Sequence, residues 1–176
     1  MEHKIVHSID CPENWLSLND WDSHRPLLWL ACENTSNGGV IIEAGMGYGS
    51  TRLLEGYIGR KVVCHYENNK EWAEKLRDQY FAVQIVKDWL EDNLFFRNID
   101  LLFVDLAPGE VRKDVIQKYK DEAKVILAHD TEPGANYVYN MADVLSTFKY
   151  RLDYAPEGKP HTTAVSNFVD VTKWVG

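Results

Sequence analysis

The sequence predicts an α/β fold, a three-layer sandwich built on a mostly parallel sheet. Two features carry that expectation. Short, continuous, β-branched apolar runs alternate with segments whose apolar residues recur at helical spacing, and runs of that kind are strands covered on both faces. The first five runs also end on or close to an acidic residue, so one edge of the sheet collects polar side chains. Strands that alternate with helices in this way build a sheet with right-handed crossovers.

Residues 40–42 (VII) form the first run, which stops at Glu43 before a glycine cluster. Residues 61–66 form the second, ending at Glu67, and residues 81–86 the third, ending near Asp88. Residues 100–104 form the fourth, ending at Asp105, and residues 124–128 the fifth, ending at His129-Asp130. Between them, Leu53, Leu54, Tyr57 and Ile58 make one helical stripe. Trp72, Leu76 and Tyr80 make a second, with Asn68 and Glu71 spaced as a capping box. Val111, Val115, Ile116 and Tyr119 make a third, after the turn residues Pro108-Gly109. Pro26 suits the first turn of a helix through Leu27, Leu28 and Leu30, within an N-terminal helical extension over residues 1–38. Residues 136–147 read as helical. Residues 148–154 and 163–171 read as strands joined by a short, turn-rich link, hence an antiparallel hairpin. The whole is a Rossmann-like, seven-stranded sheet in a single domain across residues 1–176.

Composition narrows the function. Hydrophobic residues make up 45% and charged residues 26% of the 176, as in a soluble globular protein. No apolar run approaches the ~18 residues of a membrane span, and the N-terminus has no apolar segment of the signal-peptide kind. The three cysteines are scattered and form no C-x-x-C pair, which fits buried thiols, Cys64 in the core among them, in a reducing cytoplasm. The net charge of −8 argues against a nucleic-acid partner, which requires clustered Lys and Arg, and against an anionic membrane. A homo-oligomer stays possible.

In an open α/β sheet, ligands bind beyond the carboxyl ends of the strands where strand order reverses. Glu43, Glu67, Asp88, Asp105 and Asp130 would line that edge as an acidic crevice, suited to hydroxyls, a sulfonium group or a divalent cation. The sharpest signal within it is Glu43-Ala44-Gly45-Met46-Gly47-Tyr48-Gly49. Alternate glycines let the chain turn tightly and approach a ligand closely. Ser50 or Thr51 can cap the next helix, whose first N–H groups face the ligand. The dinucleotide fingerprint G-x-G-x-x-G is not met, because Ser50 stands where its third glycine belongs. Glu67 follows the loop by roughly the 20 residues expected of a ribose-binding carboxylate.

E-x-G-x-G-x-G after the first strand resembles the first motif of class I S-adenosylmethionine-dependent methyltransferases. The resemblance implies that Glu43, Gly45, Gly47, Gly49 and Thr51 form the cofactor loop. It implies that Glu67, with Asn68 beside it, holds the ribose hydroxyls, and that Asp88 and Trp89 lie beside the adenine amine and ring. It spans most of the chain, including the reversed last strand.

The second constellation is Asp105 with His129-Asp130, at the ends of neighbouring strands. It resembles the metal site of small-molecule O-methyltransferases acting on sugars and macrolides, where Mg²⁺ or another divalent cation binds the acceptor hydroxyls. Pro108 departs from that pattern where members carry a histidine, and His129 departs where they carry an acid. The residues leave three readings open: a cation held by Asp105, His129 and Asp130; His129 as a metal-free general base; or a strand-end pair that caps the next helix. His161-Thr162-Thr163 and His24-Arg25 read first as an ordinary loop and a solvated helix start. The function expected is methyl transfer to a small-molecule hydroxyl. A hydrolase or lyase on the same fold, a nicotinamide-dependent oxidoreductase and a non-catalytic binding module are the rivals.

Overall fold

The computed structural model describes residues 1–16, 19–76, 83–92 and 98–176. Its strands are β1 (Glu2–Val6), β2 (Val40–Ala44), β3 (Val62–Glu67), β4 (Val83–Ile85), β5 (Ile99–Val104), β6 (Ala123–His129), β7 (Tyr150–Tyr154) and β8 (Thr162–Ser166). Its helices are α1 (Arg25–Asn34), α2 (Tyr48–Glu55), α3 (Lys70–Leu76), α4 (Arg112–Tyr119), α5 (Pro133–Tyr139) and α6 (Ala142–Ser146). The strands form one sheet in the order β1-β7-β8-β6-β5-β2-β3-β4. β8 runs antiparallel to both β6 and β7, and every other pairing is parallel.

The strand runs alternate their side chains between two faces, as a pleated backbone must. Ile42, Ala44, Leu102, Val104, Ile126 and Ala128 pack on one face with Val115, Ile116 and Tyr119 of α4 and Leu145 of α6. Ile41, Leu101, Phe103, Val125 and Leu127 pack on the other with Leu27 and Leu28 of α1 and Leu53 and Leu54 of α2. These two clusters are the interfaces of the three-layer sandwich. Each fully buried Leu, Ile or Phe in them contributes about 1.5–3 kcal/mol.

The sheet has eight strands rather than seven, because Glu2–Val6 pairs in parallel with Tyr150–Tyr154. Residues 1–38 thus begin with an edge strand, and only Arg25–Asn34 is α-helical. A five-residue edge strand with a mostly exposed pattern carries no apolar run to announce it. The α3 cap is Asn69, whose Oδ1 accepts from the Trp72 amide at 3.1 Å; Asn68 instead donates its side-chain N–H to the Ala107 carbonyl at 2.8 Å. The single helix expected over residues 136–147 is two, broken where Asn140 takes a left-handed conformation with φ 50°. Tyr80, Phe81 and Ala82 lie outside the described residues.

Strand order reverses between β2 and β5: the chain builds outward from β2 through β3 to β4, then returns to pair β5 against β2's other edge. The loops after β2, β3, β5 and β6 therefore surround one crevice.

Candidate functional site

The loop after β2 is shaped by one glycine above the others. Gly45 has φ +90°, and a Cβ there would lie 2.4 Å from the Asp105 carbonyl oxygen and 2.5 Å from the Leu106 Cα. Only glycine allows both the left-handed turn and this contact with the loop after β5. At Gly47 a Cβ would meet only Ser50 Oγ, at 3.1 Å, so space opens on the crevice side. The N-terminus of α2, which begins after Gly47, carries no side-chain cap and leaves its partial positive charge facing that space.

Beneath the loop lies a buried polar knot. Thr51 Oγ1 accepts from the Gly47 amide at 3.2 Å and donates to the Glu43 carboxylate at 2.9 Å. Glu43 is fully buried and also bonds His65 Nδ1 at 2.6 Å. Glu43 and Thr51 thus brace the turn from within rather than line the crevice.

Glu67, at the end of β3, stitches two loops together: Oε2 accepts from the Met46 amide at 3.0 Å and Oε1 from the Asn69 amide at 2.8 Å. A carboxylate offers about four acceptor sites, so two hydroxyls could still bind it. Trp89 is buried in the core and donates Nε1–H to the Ala107 carbonyl at 2.9 Å. Asp88 is exposed, and its Oδ1 caps the following turn by accepting from the Leu90 and Glu91 amides at 2.7 and 3.2 Å. The five carboxylates are therefore not an open acidic crevice. Glu43 is buried, Glu67 and Asp88 hold backbone amides, and Asp105 and Asp130 are ion-paired.

That last pair is held by a residue absent from the sequence-based expectation. Arg112, the first residue of α4, is buried, and its Nη2 lies 2.8 Å from Asp105 Oδ1 while its Nη1 lies 2.9 Å from Asp130 Oδ2. Its Nε donates to the Leu106 carbonyl at 2.9 Å and Nη1 to the His129 carbonyl at 3.3 Å. Tyr139 lies under the guanidinium, 4.6 Å from ring centroid to Cζ. Asp130 reaches Arg112 from a left-handed backbone, φ 56°, a conformation Asp tolerates better than most residues.

His129 sits between Asp105 and a serine from the N-terminal segment. Its Nδ1 is 3.3 Å from Asp105 Oδ2, and its Nε2 is 2.9 Å from Ser23 Oγ. Burial pulls the His129 pKa down, but the charge and hydrogen bond of Asp105, joined by Asp130, outweigh it and leave His129 more basic than an ordinary histidine. Burial pushes Asp105 up, and His129 and Arg112 outweigh it, holding the carboxyl below its usual range.

His24, expected at a solvated helix start, is instead 1% exposed and packs edge-on to His129, with ring centroids 4.8 Å apart. Neither of its ring nitrogens has a hydrogen-bond partner. Burial, with the neighbouring His129 charge, lowers its pKa to about 3, so it is a neutral imidazole. His24, Asp105 and His129 bring ligand-capable atoms within 4.8 Å of one another. The same segment explains Gly49: a Cβ there would strike Asp22 Cβ at 2.7 Å and approach His24 Nε2 at 3.3 Å. Gly49 is small to admit the segment Asp22–His24. Thr162 pairs with His129 across β8 and β6, and the His161 amide donates to Glu132 at 2.9 Å, beside the same cluster.

A cation coordinated by Asp105, His129 and Asp130 does not fit this arrangement, because the guanidinium of Arg112 already bridges both carboxylates.

Neither the family models nor the curated proteins compared with the chain match it. Among solved structures it is similar to an rRNA methylase from Streptococcus thermophilus, with TM-score 0.59 and 16% identity, covering 82% of this chain and 96% of that one. It is similar to the METTL16 methyltransferase domain, with TM-score 0.55 and 14% identity over 92% and 74% of the two chains. It also resembles a spermidine synthase from Thermotoga maritima, with TM-score 0.56 and 16% identity over 85% and 58%. The chain thus has the Rossmann-like class I methyltransferase fold. The expectation that nucleic acid is no partner is corrected by these likenesses. Structures sharing the fold include an rRNA methylase, a putative RNA methyltransferase and a 16S rRNA methyltransferase, so an overall acidic charge does not remove nucleic acid from the possible acceptors. Among the described residues no helix is long and apolar enough to cross a membrane.

Proposed function

We propose that the protein transfers a methyl group from S-adenosylmethionine to an acceptor hydroxyl of a small molecule. The observation that carries this reading is Gly45 at the sheet's switch point, where φ +90° and contact with the Asp105–Leu106 backbone hold the glycine loop open to a ligand. S-adenosylmethionine, when bound, supplies an electrophilic methyl group on a sulfonium. Gly47 and the uncapped start of α2 would border its amino-acid end, and Glu67 its ribose, through acceptor sites the loop amides leave free. Trp89 walls the crevice from the core, so its role toward the adenine is to shape the pocket rather than to offer an exposed ring. His129, backed by Asp105, would take the acceptor's proton at Nε2 through the Ser23 hydroxyl hydrogen-bonded to it, which passes its own proton on and receives the acceptor's, as the oxygen attacks the methyl in line.

A second reading, a nucleotide acceptor, has its own support. Trp21, Tyr48 and Tyr137 are 88%, 68% and 95% exposed, and they stand in the segment before His24, at the start of α2 and in α5. Exposed aromatic faces stack unpaired bases.

Calorimetric titration tests the core of the proposal. S-adenosylmethionine and S-adenosylhomocysteine should each bind one-to-one and NAD should not. No binding of either sulfur ligand would sink it. Transfer of a labelled methyl group, screened over hydroxylated small molecules and over RNA in parallel, then separates the two acceptor readings.

A further inference from the structure

Two carboxylates and a histidine at the ends of β5 and β6 make a donor set that suits a divalent cation, and the resemblance to metal-dependent O-methyltransferases points the same way. The ion pairs point elsewhere. Arg112 is buried, and four of its N–H contacts are directed into this cluster: one to Asp105, one to Asp130 and two to the carbonyls of Leu106 and His129. Its planar fork spans the two carboxylates as a bridging cation would. Tyr139 packs under its face at 4.6 Å, and Gly109 keeps that ring close, since a Cβ at Gly109 would lie 2.2 Å from Tyr139 Cε1. The guanidinium is thus fixed from the strand ends, the loop after β5 and helix α5 at once.

We propose that Arg112 is the resident cation of this pocket, bridging Asp105 and Asp130 and orienting them without metal. With the guanidinium already bridging both carboxylates, a second cation would find less negative charge there and would meet the guanidinium's repulsion. In the transfer reaction, Arg112 is a positioning residue. It holds Asp105 against His129, and that part of the inference rests on the function proposed above. The preference for an internal cation over a bound one does not, and it is what the experiment reads.

The test is Mn²⁺ binding, followed by electron paramagnetic resonance and by thermal unfolding, because Mn²⁺ suits a mixed carboxylate and imidazole site. The wild-type protein should bind no Mn²⁺ at the cluster. Arg112→Gln should gain one Mn²⁺, with its Tm raised on the order of 5 °C when the metal is in ~100-fold excess over its dissociation constant. Arg112→Lys, which keeps the charge, should gain none. A merely structural arginine would give the opposite pattern: Arg112→Gln destabilised equally with and without Mn²⁺. If that variant does not fold, Arg112→Met keeps the apolar stem over Tyr139 and carries the same two expectations. One-to-one Mn²⁺ binding by the wild-type protein, lost in Asp105→Asn or His24→Ala, would overturn the proposal in favour of a metal centre at His24, Asp105 and His129.

Discussion

Burial of His24 with neither ring nitrogen hydrogen-bonded places an acid limit on the fold. Its pKa falls to about 3 in the native protein, whereas the unfolded chain takes up the proton near 6.5. The unfolded state therefore binds more protons between those values, and stability is lost as pH falls from roughly 6.5 toward 3. His129 has the opposite sign. Its raised native pKa contributes stability that is fully present below the unfolded value and is lost as pH rises through the native one. The two residues together predict greatest stability near neutrality, with a slope on either side. Urea denaturation across the pH range checks it: His24→Phe should flatten the acid limb and His129→Gln the alkaline limb. An unchanged acid limb in His24→Phe would mean that the imidazole finds a partner in solution. Neither neighbourhood was legible in the sequence, because Ser23 and His129 are separated by 106 positions. His129 itself stood out as the polar end of an apolar run, whereas His24 carried no such mark.

At the level of elements, β2, β5 and β6 were readable because each is an apolar run largely buried on both faces; β4 is a short edge strand with Gln84 and Ile85 exposed. The edge strand β1 was not readable, because half-exposed residues that pair only at a sheet edge leave no pattern in composition. Its attachments include the His3 imidazole to Asp153 at 2.8 Å, Lys4 Nζ to the Val175 carbonyl at 2.8 Å, Val6 against the core and the ladder to β7. Removing residues 1–6 should lower Tm by a few degrees, about what a few partly exposed hydrogen bonds contribute. The affinity for S-adenosylhomocysteine should be unchanged, since β1 lies three strands from β6 and farther from β2. Loss of that affinity on truncation would show that the edge strand supports the crevice. The break between α5 and α6 has a similar origin. Asn140 in the left-handed conformation ends α5, and asparagine permits such a turn without requiring it.

For the whole molecule, the crevice is where separate parts of the chain are tied together. Gly45 contacts the loop after β5, Glu67 binds the loop after β2, Asn68 and Trp89 both donate to Ala107, and Ser23 reaches His129. A ligand that binds there stabilises one cooperative unit rather than one loop. Saturating S-adenosylhomocysteine, at ~100-fold over its dissociation constant, should raise Tm on the order of 5–10 °C in a single transition. Gly45→Ala should remove that increment and destabilise the unliganded protein as well, because its Cβ would sit 2.4 Å from a carbonyl oxygen. A Gly45→Ala protein that keeps the full ligand shift would separate the glycine loop from binding.

By itself the sequence determined the layered α/β architecture, the antiparallel final strand and the place of the glycine loop. Each depends on local periodicity or on the conformational freedom of single residues, and both are written along the chain. Only the tertiary structure decided which of the acidic residues are available. Glu43 was as plausible in sequence as Glu67, yet burial against His65 and Thr51 turned it into a brace. Asp105 and Asp130 looked like metal ligands until α4 brought Arg112 between them. The physical reason is that a carboxylate's chemistry is set by the charges and donors within a few ångström, and those neighbours come from segments distant along the chain.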